Sequence, residues 1–169
     1  YINNAGKIVG ADDDLFDVRY TFVNPRFGIN FSADQNLNFY AFVAHTAREP
    51  RMKNLYHASE TYSGASPKFE YSKVKINDST EVFQYNFDNP NAKPEKMLDV
   101  EFGVNFHKDD YKLHANFYFM DYNDEFVKTG KKDNFGTTLD ENASRSRHIG
   151  LELSGDYWII NQAEQKLGI

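Results

Sequence analysis

The chain has 169 residues, enough for one domain with a buried core if its strands close on themselves. Its net charge of -6 scatters Lys and Arg among carboxylates, with no basic stripe for phosphates, which argues against nucleic-acid binding. Cysteine is absent, removing disulfide frameworks, thiolate metal sites and thiol nucleophiles, while 16% aromatic residues, nearly all Tyr and Phe, favour strands over helices.

The leading stretch carries Asp12, Asp13, Asp14 and Asp17. This reads as a solvated loop end, with a calcium cradle as the sharper alternative because hard cations prefer several carboxylate oxygens. Alternation then begins. Phe27, Ile29, Phe31 and Ala33 fall on one face against Gly28, Asn30 and Ser32 on the other, predicting a strand near 26–33. Leu37, Phe39, Ala41 and Val43 against Asn38, Tyr40, Phe42 and Ala44 predict a second near 36–45.

A long connection over 46–96 follows, expected as a loop, with Arg48, Arg51, Tyr56, His57 and Tyr62 as candidate ligand-binding residues. Cationic and aromatic groups on external segments suit ligand capture through charge-assisted hydrogen bonds and stacking. The alternative is a solvated loop that touches no ligand. The clearest alternation comes next: Leu98, Val100, Phe102, Val104 and Phe106 against Asp99, Glu101, Gly103, Asn105 and His107, a strand near 97–108. Tyr111, Leu113, Ala115, Phe117 and Phe119 against Lys112, His114, Asn116, Tyr118 and Met120 give a strand near 111–121. A second long loop is expected over 121–146, and Ile149, Leu151, Leu153 and Tyr157 mark a strand near 147–158.

Two regularities separate this pattern from an ordinary soluble domain. Most runs approach the roughly 9 to 11 residues that a tilted strand needs to cross a bilayer, although no apolar run approaches the length of a membrane helix. Connections are also short and long by turns: 34–36, 108–110 and 161–166 are short, 46–96 and 121–146 long. Outer-membrane barrels have this asymmetry, with tight periplasmic turns and long extracellular loops. If Asp109-Asp110 is a two-residue turn, Lys108 faces Tyr111, Asn105 faces His114, Val104 faces Ala115, Phe102 faces Phe117 and Glu101 faces Tyr118. Like meets like on both faces, which a one-residue slip would destroy. Phe106, Tyr111 and Tyr157 then lie near the turn ends and Phe117 and Phe119 near the loop ends, resembling two girdles around an aliphatic band.

The face opposite the apolar rows collects His107, His114, His148, Asp99, Glu101, Glu152 and Asp156. No His-x-x-x-His, calcium-loop, nucleophile-elbow or phosphate-loop spacing organises them. They read as a hydrated lumen wall, and no catalytic residue, metal site or cofactor is assigned.

Three ordered signatures carry a family resemblance. Asn24-Pro25-Arg26-Phe27-Gly28, the rising strand Leu37 to Ala44, and Ala47-Arg48-Glu49-Pro50 form the first. Asn89-Pro90-Asn91-Ala92-Lys93-Pro94-Glu95, with Ala92 in place of the usual Leu, leads into Glu101-Phe102-Gly103 as the second. The third is the aromatic strand ending in Tyr122-Asn123-Asp124, followed by Gly150-Leu151-Glu152. Together they resemble the C-terminal half of the barrel of TonB-dependent outer-membrane receptors.

The resemblance implies an all-β, antiparallel meander forming part of a large transmembrane β-barrel, about 22 strands in the full protein with a plugged lumen. It implies import of a scarce ligand of iron-siderophore, cobalamin or glycan type in the outer membrane of a Gram-negative bacterium. The implied partners are the lipid bilayer, a small-molecule or oligomeric ligand with or without a surface lipoprotein, and the TonB-ExbB-ExbD complex acting through segments outside this chain. Beginning at Tyr1 and stopping as a new apolar run starts, the chain reads as an excerpt, with the plug elsewhere. The alternatives are a small complete barrel, for which too few strands are visible, and a soluble β-sandwich adhesive or glycan-binding module. The sandwich would bury Val100, Phe102, Val104, Phe117 and Leu151 against a second sheet.

Overall fold

The computed structural model describes residues 1–3, 6–7, 15–57, 66–77, 80–132, 136, 138–162 and 165–168. Among the described residues the fold is all-β apart from one helical turn. Its elements are β1 (Ile2–Asn3), β2 (Arg26–Ser32), β3 (Leu37–Arg48), α1 (Met52–Leu55), β4 (Tyr56–His57), β5 (Ser66–Pro67), β6 (Phe69–Asn77), β7 (Thr80–Pro90), β8 (Glu95–Lys108), β9 (Tyr111–Lys132), β10 (Thr138–Gln162) and β11 (Gln165–Gly168). Six strands form one sheet in the order β11-β10-β9-β8-β3-β2. In that sheet β2 pairs with β3, β8 with β9 and β10 with β11, each antiparallel.

Strand positions near 26–33, 36–45, 97–108, 111–121 and 147–158 all carry strand, but the two long connections do not remain loops. The range 46–96 holds α1 and the β6–β7 hairpin, and in 121–146 strand β9 continues to Lys132 while β10 begins at Thr138. The reason is local: between Asp121 and Lys132 the few apolar residues, Tyr122, Phe126 and Val127, are split between the two faces, so backbone pairing persists there without apolar alternation to announce it.

Two compact units divide the chain: unit 1 comprises Tyr1–Phe22, Arg48–Glu95 and Asp124–Ser144, and unit 2 comprises Val23–Ala47, Lys96–Asn123 and Arg145–Ile169. Unit 2 holds the alternating strands. Across the 109–110 turn, Lys108 faces Tyr111, Asn105 His114, Val104 Ala115, Phe102 Phe117 and Glu101 Tyr118. Asp109 takes φ +38, a left-handed turn conformation that Asp tolerates better than most side chains. At the other short turn, Asp34 Oδ1 accepts the backbone N–H groups of Asn36 at 2.7 Å and Leu37 at 2.9 Å, an Asx cap that fixes the β2–β3 register of Phe31 opposite Phe39.

Among the described residues, no layer covers the apolar row of unit 2. Phe102, Phe117 and Ile149 are exposed, and Leu151 and Leu153 retain 65% and 73% of their surface. On the opposite face Asp99 and Asn116 are buried and Glu101, His114 and Tyr118 half-buried. A water-soluble domain distributes these residue types the other way round.

Tyrosines on that polar face lie over glycines of neighbouring strands. A Cβ added to Gly103 would stand 2.2 Å from the Tyr40 ring, and one added to Gly150 would stand 2.4 Å from the Tyr118 ring. Glycine leaves room for both rings, and any side chain at either position would have to push the end of that tyrosine aside. Tyr40 also stacks on His114 with centroids 6.1 Å apart, and His114 Nδ1 lies 2.8 Å from Asn105 Oδ1.

Unit 1 has a dry centre. Leu55, Phe69 and Phe87 are buried together, with Leu15, Phe16, Val18, Tyr85 and Ala92 packed around them. The rings of Phe16 and Phe69 are 4.8 Å apart, and Phe69 meets Phe87 edge-on at 5.2 Å. The β6–β7 hairpin extends from this cluster, with Tyr71 edge-on to Phe83.

Candidate functional site

Unit 1 also forms a half-open cleft of about 480 Å³ lined by residues of α1, the residue between β5 and β6, the turn before β8 and the β9–β10 pair. Asn54, Lys68, Lys93, Asp124, Phe126 and Asn142 supply its distinctive chemistry. Asn142 braces the wall: its Oδ1 accepts the Lys93 N–H at 2.9 Å, and its Nδ2 donates to the carbonyls of Lys93 at 3.0 Å and Asp124 at 2.6 Å. A second brace is Glu95, 6% exposed, whose carboxylate accepts Arg48 Nε at 2.7 Å, Arg48 Nη2 at 3.0 Å and the backbone N–H of Phe126 at 2.9 Å. Lys53 pairs with Asp140 on the same wall.

Asn54 is 5% exposed, yet its Oδ1 accepts no hydrogen bond. A buried acceptor left unmatched costs about 1–3 kcal/mol, so Asn54 lowers the stability of the wall into which it packs. With two lysines, two aspartates, a glutamate and the Phe126 ring in its lining, the cleft offers donors, acceptors and an apolar surface to a polar ligand.

The five sequence candidates do not form one constellation. The Arg48 guanidinium is held by Glu95. Arg51 is exposed immediately before α1, and Tyr56 is half-buried immediately after it. The backbone of His57 pairs with Ser66, and Tyr62 lies outside the described residues. Nothing in the sequence singles out Asn54, Lys68 or Lys93, because a neutral amide and two lysines in polar segments resemble solvated surface.

Of the acidic stretch, Asp12, Asp13 and Asp14 lie outside the described residues. Asp17 binds Arg19 through Nη2 at 2.7 Å and Nε at 3.1 Å, and this hydrogen-bonded cation holds its carboxyl below the usual carboxylate range. Among the described residues no cluster of His, Asp and Glu has the arrangement of a metal site.

Three comparisons bear on this architecture. The family model described as TonB dependent receptor-like, beta-barrel matches residues 3–166. The crystal structure of the siderophore receptor PirA from Pseudomonas aeruginosa is similar in fold, with a TM-score of 0.52 and 15% identity over 83% of this chain and 25% of that one. The chain therefore spans a quarter of that receptor's length. Among curated proteins, none matches.

Proposed function

The chain belongs to the TonB-dependent receptor family, as part of its β-barrel, and from that premise we propose that it forms barrel wall and outer loops of a receptor that imports a scarce ligand across the outer membrane. The observation that carries this reading is the two-faced sheet of unit 2, with Leu151 and Leu153 bare on one side and Asp99 and Asn116 buried on the other. A bilayer is the solvent that makes such a surface stable. The sandwich alternative required Val100, Phe102, Val104, Phe117 and Leu151 to lie under a second sheet, and within unit 2 all of them but the half-buried Val104 are exposed.

In this reading the apolar row faces lipid, the polar row faces the lumen, and unit 1 belongs to the extracellular loops. Its cleft around Asn54, Lys68 and Lys93 contacts the ligand, with Arg48 bracing the wall through Glu95; Arg51, Tyr56, His57 and Tyr62 stay candidate ligand contacts from the same stretch of sequence. Energy comes from the TonB-ExbB-ExbD complex acting on segments beyond this chain. Iron-siderophore, cobalamin and glycan ligands remain the three classes to compare, and the siderophore receptor among the structural neighbours puts iron first. The test is growth of strains with and without the full receptor under limitation for iron, cobalamin or glycan, each repeated after TonB depletion. One receptor-dependent and TonB-dependent deficit supports import, whereas a TonB-independent deficit or none in any condition contradicts it.

A further inference from the structure

The charges that line the cleft of unit 1 fall into two groups. Asp140 pairs with Lys53, and Glu141 pairs with Lys131 at 2.9 Å. Lys68 turns its ammonium to the Lys53 carbonyl at 3.3 Å. The Lys93 ammonium and the Asp124 carboxylate remain, and among the described residues neither has an ion-pair or hydrogen-bond partner. One amide anchors both residues: Asn142 Nδ2 donates to the carbonyls of Lys93 at 3.0 Å and Asp124 at 2.6 Å, and its Oδ1 accepts the Lys93 N–H at 2.9 Å. Asp124 also takes φ +55, a left-handed conformation that a non-glycine residue keeps where its surroundings hold it. Two opposite charges thus stand open on neighbouring anchors, one on the turn before β8 and one on β9.

The cleft is half-open, so a ligand seated in it displaces water from both groups. A neutral ligand would cover both charges and pair neither, which costs free energy. An anion would face Asp124 as a like charge, and a cation would face Lys93. A ligand that brings both an ammonium and a carboxylate answers the two through charge-assisted hydrogen bonds. Ala92, Phe126 and Leu139 give the stretch between its charged ends an apolar surface.

We propose that the cleft recognises a zwitterionic, peptide-like ligand, with Asp124 taking its ammonium and Lys93 its carboxylate. This deepens the import reading and rests on it, since unit 1 must face the outside medium. Such charged ends occur on free oligopeptides and on peptide-built hydroxamate chelators of iron, so the shared chemistry is the pair of termini.

The full receptor, purified in detergent, is titrated calorimetrically with two ligands: trialanine, and the ferric complex of a tripeptide of Nδ-acetyl-Nδ-hydroxyornithine. Each is offered with free ends, N-acetylated and C-amidated. Either blocked form should bind about tenfold more weakly or worse, because it leaves one cleft charge covered and unpartnered. Discrimination with the ferric complex alone identifies a chelator as the source, and discrimination with trialanine as well identifies peptides at large. Asp124→Asn should abolish discrimination against the acetylated form and keep that against the amide, and Lys93→Gln should do the reverse. Equal binding of the three forms of both ligands, or no binding of either, would overturn the assignment whether or not a variant folds. So would a folded variant that loses both discriminations together. The expected selectivity alongside TonB-independent growth would instead overturn the import reading and leave the ligand class of the cleft standing.

Discussion

Unit 1 and unit 2 draw on the same Tyr- and Phe-rich composition but organise it in opposite ways. In unit 1, Phe69 is fully buried with Leu55 and Phe87, and polar groups line the unit's cleft. In unit 2, no apolar cluster among the described residues closes over Phe102, Phe117 or Leu151, while Asp99 and Asn116 are buried. One region follows the rules of a protein in water and the other those of a wall between lipid and a polar lumen. Aromatic content alone therefore says little; what matters is which face the aromatics occupy and what covers it.

The largest effect that would sharpen this contrast is Phe69→Ala. Removing the most buried ring of unit 1 should cost about 3–5 kcal/mol of local stability. Hydrogen exchange on the full receptor should show protection lost in β6 and β7 and retained in β8 and β9; equal loss in both would erase the distinction between the units. Next comes Leu151→Arg, which should cost about 2–4 kcal/mol in vesicle unfolding because it puts a charge on the lipid face, against roughly 1 kcal/mol or less for Glu152→Arg. In a water-facing sheet, substitution at so exposed a leucine would lie within about 0.5 kcal/mol of neutral.

Smaller still is Gly103→Ala, expected to destabilise by about 1–3 kcal/mol because the new methyl displaces the Tyr40 ring. Combined with Tyr40→Ser the loss should be markedly less than additive, and strict additivity would show that the ring does not occupy that space. Asp109→Gly should stabilise by up to about 1 kcal/mol, relieving the positive φ at the turn. A loss of stability there would mean that the Asp side chain contributes to the turn more than its backbone costs.

Legibility in the sequence follows the same division. In unit 2, alternation and a two-residue turn were enough to place Phe102 opposite Phe117, since a slip would exchange the two faces. Unit 1 was harder to read. The apolar phase in β6 changes from Phe69 and Tyr71 to Val74 and Ile76, which hides the strand from a period-two reading. Two further features depend on residues distant in sequence. The Tyr40 ring over Gly103 requires β3 to lie beside β8 across the connection of 46–96. The buried Asn54 acceptor depends on how that connection folds, and a neutral amide in a polar segment gives no sign of it.

The central claim is that the two faces of unit 2 meet different solvents. Because this chain has no cysteine of its own, spin labels can be placed singly at Phe102, Phe117 and Leu151 and at Glu101, His114 and Glu152 in the full receptor in vesicles. Collision with dissolved oxygen, which concentrates in the bilayer, and with a water-soluble nickel chelate reports the surroundings of each label. The account predicts strict alternation, with oxygen favoured at the first three positions and excess nickel access at the other three; uniform nickel access at all six would contradict it.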